Sequence, residues 1–292
     1  MMKSIFKSLL LFVITISNLN LSTIQGQQSE KIRIKSYSEN TNEINLTYND
    51  NNRLSSIGFT KLNYDIEGRI IQNGKVSYTY NDLGQISKIV STRVGSLGNL
   101  ETTVNYNNDS LITSFVSKYD RADLGTATST FKYDAKNRLK NIIEVGADGR
   151  GYGRITLTYD DNNNVVQQLK EKSYDGASYR QVSVSNYMYD AKNNPDYNVL
   201  AKTGISSTIN VLHLIYNIAI GGQSAYETVY YYSKNNILTS KVVSVGGNSA
   251  TQTYSYSYDK NNYPISAKLE YTFSSDSSFN RSETRTWTYE SY

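Results

Sequence analysis

The sequence predicts a mostly β protein, an extended, curled antiparallel meander of hairpin repeats with one inserted buried α-helix over residues 206–220. Three observations predict it. A tyrosine-anchored pattern recurs nine times along the chain; the residues before each anchor alternate between apolar and polar; and the 292 residues hold 27 Tyr and 18 Gly against 2 Pro and no Cys.

Each copy reads apolar, any residue, Tyr, Asp/Asn/Ser, two residues, Gly/Asn, one residue, then usually an aliphatic. The anchors are Tyr48, Tyr64, Tyr80, Tyr106, Tyr133, Tyr159, Tyr189, Tyr232 and Tyr258, with a truncated copy at Tyr289. Two residues before them stand Leu46, Leu62, Tyr78, Val104, Phe131, Leu157, Tyr187, Tyr230, Tyr256 and Trp287, all apolar or aromatic, with mostly polar residues between. A period of two puts one face of a strand inward and the other in water.

After each anchor comes Asn49, Asp65, Asn81, Asn107, Asp134, Asp160, Asp190, Ser233 or Asp259, whose short oxygen-bearing side chain starts a turn by accepting a backbone N–H two residues on. Four after the anchor comes Gly or Asn, tolerant of positive φ, failing only at Ser110. That is the arrangement of a type I turn closed by a left-handed residue and a bulge. Every copy is therefore a hairpin signal.

Anchor spacings of 16, 16, 26, 27, 26, 30, 43, 26 and 31 residues imply short strands near the start and longer ones later. Glycines at 95/98, 125, 146/149/151, 176 and 246/247 fall where the opposite turns belong. The 43-residue gap breaks the rhythm. There Asn194-Pro195 stops a strand, Ser206 or Ser207 can cap a helix and Gly221-Gly222 can end it. Apolar residues on both faces between them predict a helix buried all round, filling a groove of the sheet. His213, the chain's one His, falls on it and reads as a core residue.

Residues 1–26 read as a secretory signal peptide, with Lys3 and Lys7 ahead of a short apolar run, and residues 27–292 as a single repeat domain. Removing the signal lowers the formal charge from +4 to +2. Near-neutral, evenly spread charge argues against nucleic acid as a partner. No segment reaches the roughly 20 apolar residues of a transmembrane helix.

Fragments FKYDAKNRLKNI (131–142), LNYDIEGRII (62–71) and YTYNDLGQISKI (78–89) resemble YD repeats of the Rhs and teneurin type. The later part, with NNP (193–195) and YSYDKNNYPISAKLEY (256–271), resembles Bacteroidetes exported proteins of unknown function with degenerate YD-like repeats, a likeness covering about residues 40–292. The resemblance implies a curled antiparallel sheet at the cell surface or in the periplasm. Many such relatives are lipoproteins, and the absence of Cys departs from that habit, so no lipid anchor through Cys is expected.

Without Cys, and with one His, thiol chemistry and metal sites needing two imidazoles are excluded. Paired carboxylates acting on polysaccharide stay open, but most Asp occupy turn-starting positions. Asp160, Asn162, Asn164 and Glu171 share the 1-3-5-12 spacing of a calcium loop, yet Val165 stands where that loop needs Gly, so an Asx turn is expected. No metal, cofactor or catalytic residue is assigned. The expected function is an exported, non-catalytic binding or structural module for a glycan or protein at the cell envelope. Tyr231, Tyr152, Tyr174 and Tyr179 are the candidate ligand-binding rings. The alternatives are an outer-membrane β-barrel, whose strands need about 9–11 residues, and a polysaccharide-acting enzyme.

Overall fold

The computed structural model describes residues 32–92, 98–121, 125–146, 152–194 and 233–292. In chain order the strands are β1 (Ile32–Glu39), β2 (Asn42–Tyr48), β3 (Leu54–Ile57), β4 (Thr60–Tyr64), β5 (Ile70–Asn73), β6 (Val76–Tyr80), β7 (Ile86–Ser91), β8 (Leu100–Tyr106), β9 (Ile112–Tyr119), β10 (Thr126–Tyr133), β11 (Leu139–Val145), β12 (Tyr152–Tyr159), β13 (Val165–Ser173), β14 (Arg180–Asn193), β15 (Asn235–Ser244), β16 (Ser249–Tyr258), β17 (Pro264–Phe273) and β18 (Arg281–Ser291). Each pairs antiparallel with the next, and β18 pairs back onto β1. The result is a closed 18-stranded barrel.

Closure corrects the expectation of an extended sheet. An open meander leaves a row of unpaired backbone N–H and C=O groups at each edge, and joining the edges satisfies both. The helix expected over residues 206–220, and His213 on it, lie outside the described residues. Among the described residues the helical content is a single 3-10 turn, Ser277–Phe279, capped by the Asp276 side chain.

One construction serves every complete tight turn. In the first, Asn49 N–H donates to the Arg53 carbonyl and Asn52 N–H to the Asn49 carbonyl, while Asn49 Oδ1 accepts from the amides of Asn51 and Arg53. Asn52 has φ +58°, and positive φ recurs at Gly68, Gly84, Ser110, Asn137, Asn163 and Asn262. Ser110, the residue that breaks the Gly/Asn pattern, thus takes the same left-handed backbone, with φ +62°. A bulge then sets each anchor opposite the returning aliphatic: Tyr48 faces Leu54, Tyr64 Ile70, Tyr80 Ile86, Tyr106 Ile112, Tyr133 Leu139, Tyr159 Val165 and Tyr258 Pro264.

The anchors join neighbouring hairpins. The hydroxyls of Tyr64, Tyr80, Tyr106, Tyr133, Tyr159, Tyr189 and Tyr289 donate to the carbonyls of Leu54, Ile70, Ile86, Ile112, Leu139, Val165 and Pro264, the aliphatic or proline that opens the preceding return strand, at 2.6–2.9 Å. The Tyr48 hydroxyl donates to the Ile34 carbonyl at 2.7 Å. Each such bond is worth about 0.5–1.5 kcal/mol net. Guanidiniums from the preceding turn lie over the rings: Arg53 over Tyr64, Arg69 over Tyr80 and Arg138 over Tyr159, at 5.9, 4.6 and 4.5 Å from the ring centroid.

The ladder changes at Asp190. Tyr189 faces Ile237, so β15 completes the hairpin that Tyr189 begins, and residues 195–232 are inserted within its turn. Tyr232, read as the anchor of a hairpin returning at Leu238, lies outside the described residues. Asp190 accepts from the Asn236 amide and side chain and from the Lys192 amide, and its carboxylate takes the Tyr258 hydroxyl. Buried Asn194 and Asn236 bind the two ends of the insertion together, and buried Asn164 ties Asn235 to the turn of Tyr159.

The apolar side chains form one cluster drawn from strands all around the ring, from Ile34 and Leu46 through Ile142 to Leu269 and Trp287, so the apolar face is the inner one. Outward strand residues are mostly polar, among them Glu43, Thr47, Glu101, Thr130, Lys132 and Lys268, with Ile71, Met188 and Ile265 the exposed large apolar ones in the described strands.

Replacing Ser110 with Gly removes the strain of a side chain at positive φ and should stabilise the fold by about 1 kcal/mol, read as a Tm rise of roughly 2–4 °C in thermal unfolding. A second prediction concerns alkali. Burial pushes the phenols of Tyr48, Tyr80 and Tyr133 up to about 12 and those of Tyr106, Tyr159 and Tyr189 higher. An unfolded Tyr ionises near pH 10, so the folded state keeps protons that the unfolded state releases. This stabilisation is intact below about pH 10 and is lost as pH rises toward 12. Phenolate absorbance from the anchors should therefore develop together with loss of the β-sheet circular dichroism; full ionisation with the sheet intact would contradict the ladder.

Candidate functional site

The meander sorts its connections onto two rims. The tyrosine-anchored turns make one; the other carries the connections β1–β2, β3–β4 and onward to β17–β18. Three of the four candidate rings fall on this second rim, where β12 begins and β13 runs into β14.

Tyr152 opens β12 and faces Ser173 at the end of β13. Two residues on, Arg154 lies on the same face by strand alternation. Its guanidinium makes a two-pronged ion pair with Glu171 on β13, at 2.6 and 2.7 Å. The hydrogen bond from Arg154, with its charge, holds the Glu171 carboxyl below the usual range against the upward push of burial. The same guanidinium lies 4.2 Å from the centroid of Tyr179. A bidentate carboxylate fixes the guanidinium plane, and the plane fixes the ring.

The loop between β13 and β14 is organised by Asp175. Its Oδ1 takes the Ser173 hydroxyl at 2.6 Å and the amides of Ala177 and Ser178 at 2.9 and 2.8 Å. These bonds, the Ser173 hydroxyl first, push the Asp175 carboxyl far below the usual range. Gly176 takes φ +75°, and a methyl group there would come to 3.0 Å from the Tyr152 ring, so Tyr152 packs closely against the loop at this glycine. Tyr174, the first residue after β13, is 93% exposed.

The structure thus packs Tyr152 against the loop and Tyr179 against Arg154, and leaves Tyr174 exposed on the same rim. Tyr231 lies outside the described residues. Sequence reasoning missed Arg154 and Asp175, and read Glu171 only as the end of a calcium-like spacing and Gly176 only as a turn glycine. The signal for Arg154 was available, since it shares its strand face with Tyr152; the pairing with Glu171 needs the register of β12 on β13. Elsewhere on the rim Phe59, Val245 and Phe279 are also exposed. The calcium-like spacing resolves into separate uses: Asp160 accepts the Asn164 amide within its turn, while Glu171 is held by Arg154. Among the described residues no three His, Cys, Asp or Glu are grouped to hold a metal, and no helix is long and apolar enough to cross a membrane.

Replacing Arg154 with Met removes the partner of Glu171 and the brace of Tyr179. The folded Glu171 carboxyl lies below its unfolded value, so the ion pair contributes above about pH 4–5 and fades as pH falls through that range. The Tm difference between the native chain and Arg154→Met should be largest near neutrality and shrink toward pH 3 in scanning calorimetry.

Residues 27–97 match the teneurin YD-shell family. Among solved structures, a porin-like protein from Bacteroides uniformis ATCC 8492 is 18% identical with a TM-score of 0.47, covering 89% of this chain and 95% of that one. A porin-like protein from Bacteroides vulgatus ATCC 8482 is 12% identical with a TM-score of 0.43, covering 89% and 99%. The Tc holotoxin pore of Photorhabdus luminescens is 11% identical with a TM-score of 0.35, covering 85% of this chain and 15% of that one. No curated protein matches. The segment with anchors Tyr48, Tyr64 and Tyr80 is therefore similar to the teneurin YD shell, and its hairpin construction continues around the closed ring.

Proposed function

We propose that the protein is an exported, non-catalytic binding module that takes a glycan or protein at the cell envelope on the rim formed by Tyr152, Tyr174 and Tyr179. The carrying observation is Tyr174. Its ring stands in water, 93% exposed, on the same rim as Tyr152 and Tyr179, which a glycine loop and an ion pair hold in place. A rigid aromatic face with polar neighbours suits sugar rings or partner side chains at low entropic cost. The carboxylates of Asp65, Asp134, Asp160 and Asp259 are spent on turn amides, which supports a role without acid–base chemistry. Export rests on the first 26 residues.

A second reading, a barrel spanning the outer membrane, is favoured by closure of an even number of antiparallel strands. Against it stand strands β3 to β6, of 4 to 5 residues, and a wall whose outward side chains are mostly Thr, Ser, Asn, Lys and Glu, with exposed Ile71, Met188 and Ile265 scattered among them, where lipid demands an apolar band.

Both readings meet in one experiment on the mature chain. Prepared without detergent, it should remain monodisperse, and a glycan array with envelope-protein pull-down should yield a ligand. Tyr174→Ala should leave Tm unchanged and weaken binding at least tenfold, the loss of about 1.4 kcal/mol. Aggregation relieved by detergent supports the membrane barrel; equal binding by Tyr174→Ala removes the rim from the account.

A further inference from the structure

The pairing of β1 with β18 reproduces, contact by contact, what holds each internal YD hairpin. Tyr289 faces Ile34, and the register slips at once, leaving Lys35 as the bulged residue just as Ser55 is left after Leu54. Next inward, Tyr37 faces Trp287 as Phe115 faces Val104. The carbonyl of Ile34 takes the hydroxyl of Tyr48, as that of Leu54 takes Tyr64. Arg33 lies 3.9 Å from the Tyr48 centroid, the place Arg69 holds over Tyr80. Arg33 also pairs with Glu290, the residue after the anchor, at 2.7 Å, as Arg69 pairs with Asp65 at 2.6 Å and Arg138 with Asp134 at 2.7 Å.

One YD repeat is thus divided between two strands, its first half Tyr289-Glu290 and its second half Arg33-Ile34, 257 positions apart at the ion pair. Its one departure has a reason. Elsewhere the residue after the anchor is short, because it must start a turn; no turn joins β18 to β1, and Glu290 is free to be the longer acid that reaches Arg33.

We propose that the slot between β18 and β2 is a strand-acceptor site for an extended peptide segment bearing Arg followed by an aliphatic residue, the sequence of β1. Backbone ladders on both sides supply affinity, and the Tyr48 face, Glu290 and the Ile34 pocket supply selection, the division of labour usual for strand addition. In the intact chain β1 fills the slot because tethering through the β1–β2 turn gives it a high effective concentration. This inference is independent of the rim around Tyr174.

The test weakens β1 in the full mature chain and offers its sequence in trans. Two variants are used, Ile34→Asp and the milder Arg33→Ala, with a synthetic peptide of residues 31–40, KIRIKSYSEN. At about 100 times its Kd the peptide should raise the Tm of a variant by roughly 5–10 °C, and it should slow hydrogen exchange of amides in β18 and β2. A peptide carrying Arg33→Ala should bind about tenfold more weakly, and that difference should shrink when the acceptor carries Glu290→Ala, the remainder being the contacts of Arg33 with Tyr48 and Asn52. Failure of KIRIKSYSEN to stabilise either variant, or equal stabilisation by the Arg33→Ala peptide, overturns the assignment.

Discussion

A hydrogen bond from a tyrosine hydroxyl to the backbone carbonyl of the neighbouring hairpin holds this ring in order. Eight hydroxyls make that bond and the ninth, of Tyr258, reaches the Asp190 carboxylate instead. A single such bond is modest, about 1 kcal/mol. Its value lies in geometry. The phenol is long enough to cross to the next hairpin only if its own turn sets the ring at the right height, and the Asx turn with its left-handed fourth residue does so. Turn and hydroxyl are thus two ends of one constraint, and a Phe at the anchor would fill the space without fixing the neighbour.

That constraint explains how a chain of mean hydropathy −0.53 builds a large ring. The phenols bury area while leaving the hydroxyl a partner, so less aliphatic surface is needed than in an ordinary barrel core. The inner wall is apolar near the tyrosine turns and grows polar toward the other rim, with Ser129, Glu144, Gln168, Ser185 and Gln252 turned inward. Glu144 is pushed above the usual carboxylate range by burial, with Lys170 opposing. The outer wall is Thr-rich, a residue whose branched side chain favours strands and whose hydroxyl favours water.

Where the ladder is interrupted, polar side chains take over. The turn between β14 and β15 cannot close in five residues because residues 195–232 are inserted in it, and a set of buried amides and one carboxylate substitutes for the missing turn. Buried polar groups are tolerable only when partnered. Here the partners are residues of the turn pattern itself, the turn-starting Asp190 on one side of the insertion and, on the other, Asn236, which stands where the pattern puts its left-handed residue.

The antiparallel meander, the turn chemistry and the alternation of faces were legible in the sequence because each depends on residues within about six positions of one another. The arginines stacked on the anchors were legible too, one position before the returning aliphatic at Arg53, Arg69 and Arg138, and passed unread because no local rule explains an Arg there; its ring belongs to the next hairpin. Closure, the completion of the Tyr189 hairpin by β15, and the support of Tyr179 by Arg154 and Glu171 were settled by tertiary structure alone. A period of two says which face of a strand turns inward, but it is silent on how strands distant in sequence meet. That depends on curvature accumulated over every hairpin, and on the free energy gained when two unpaired edges find each other.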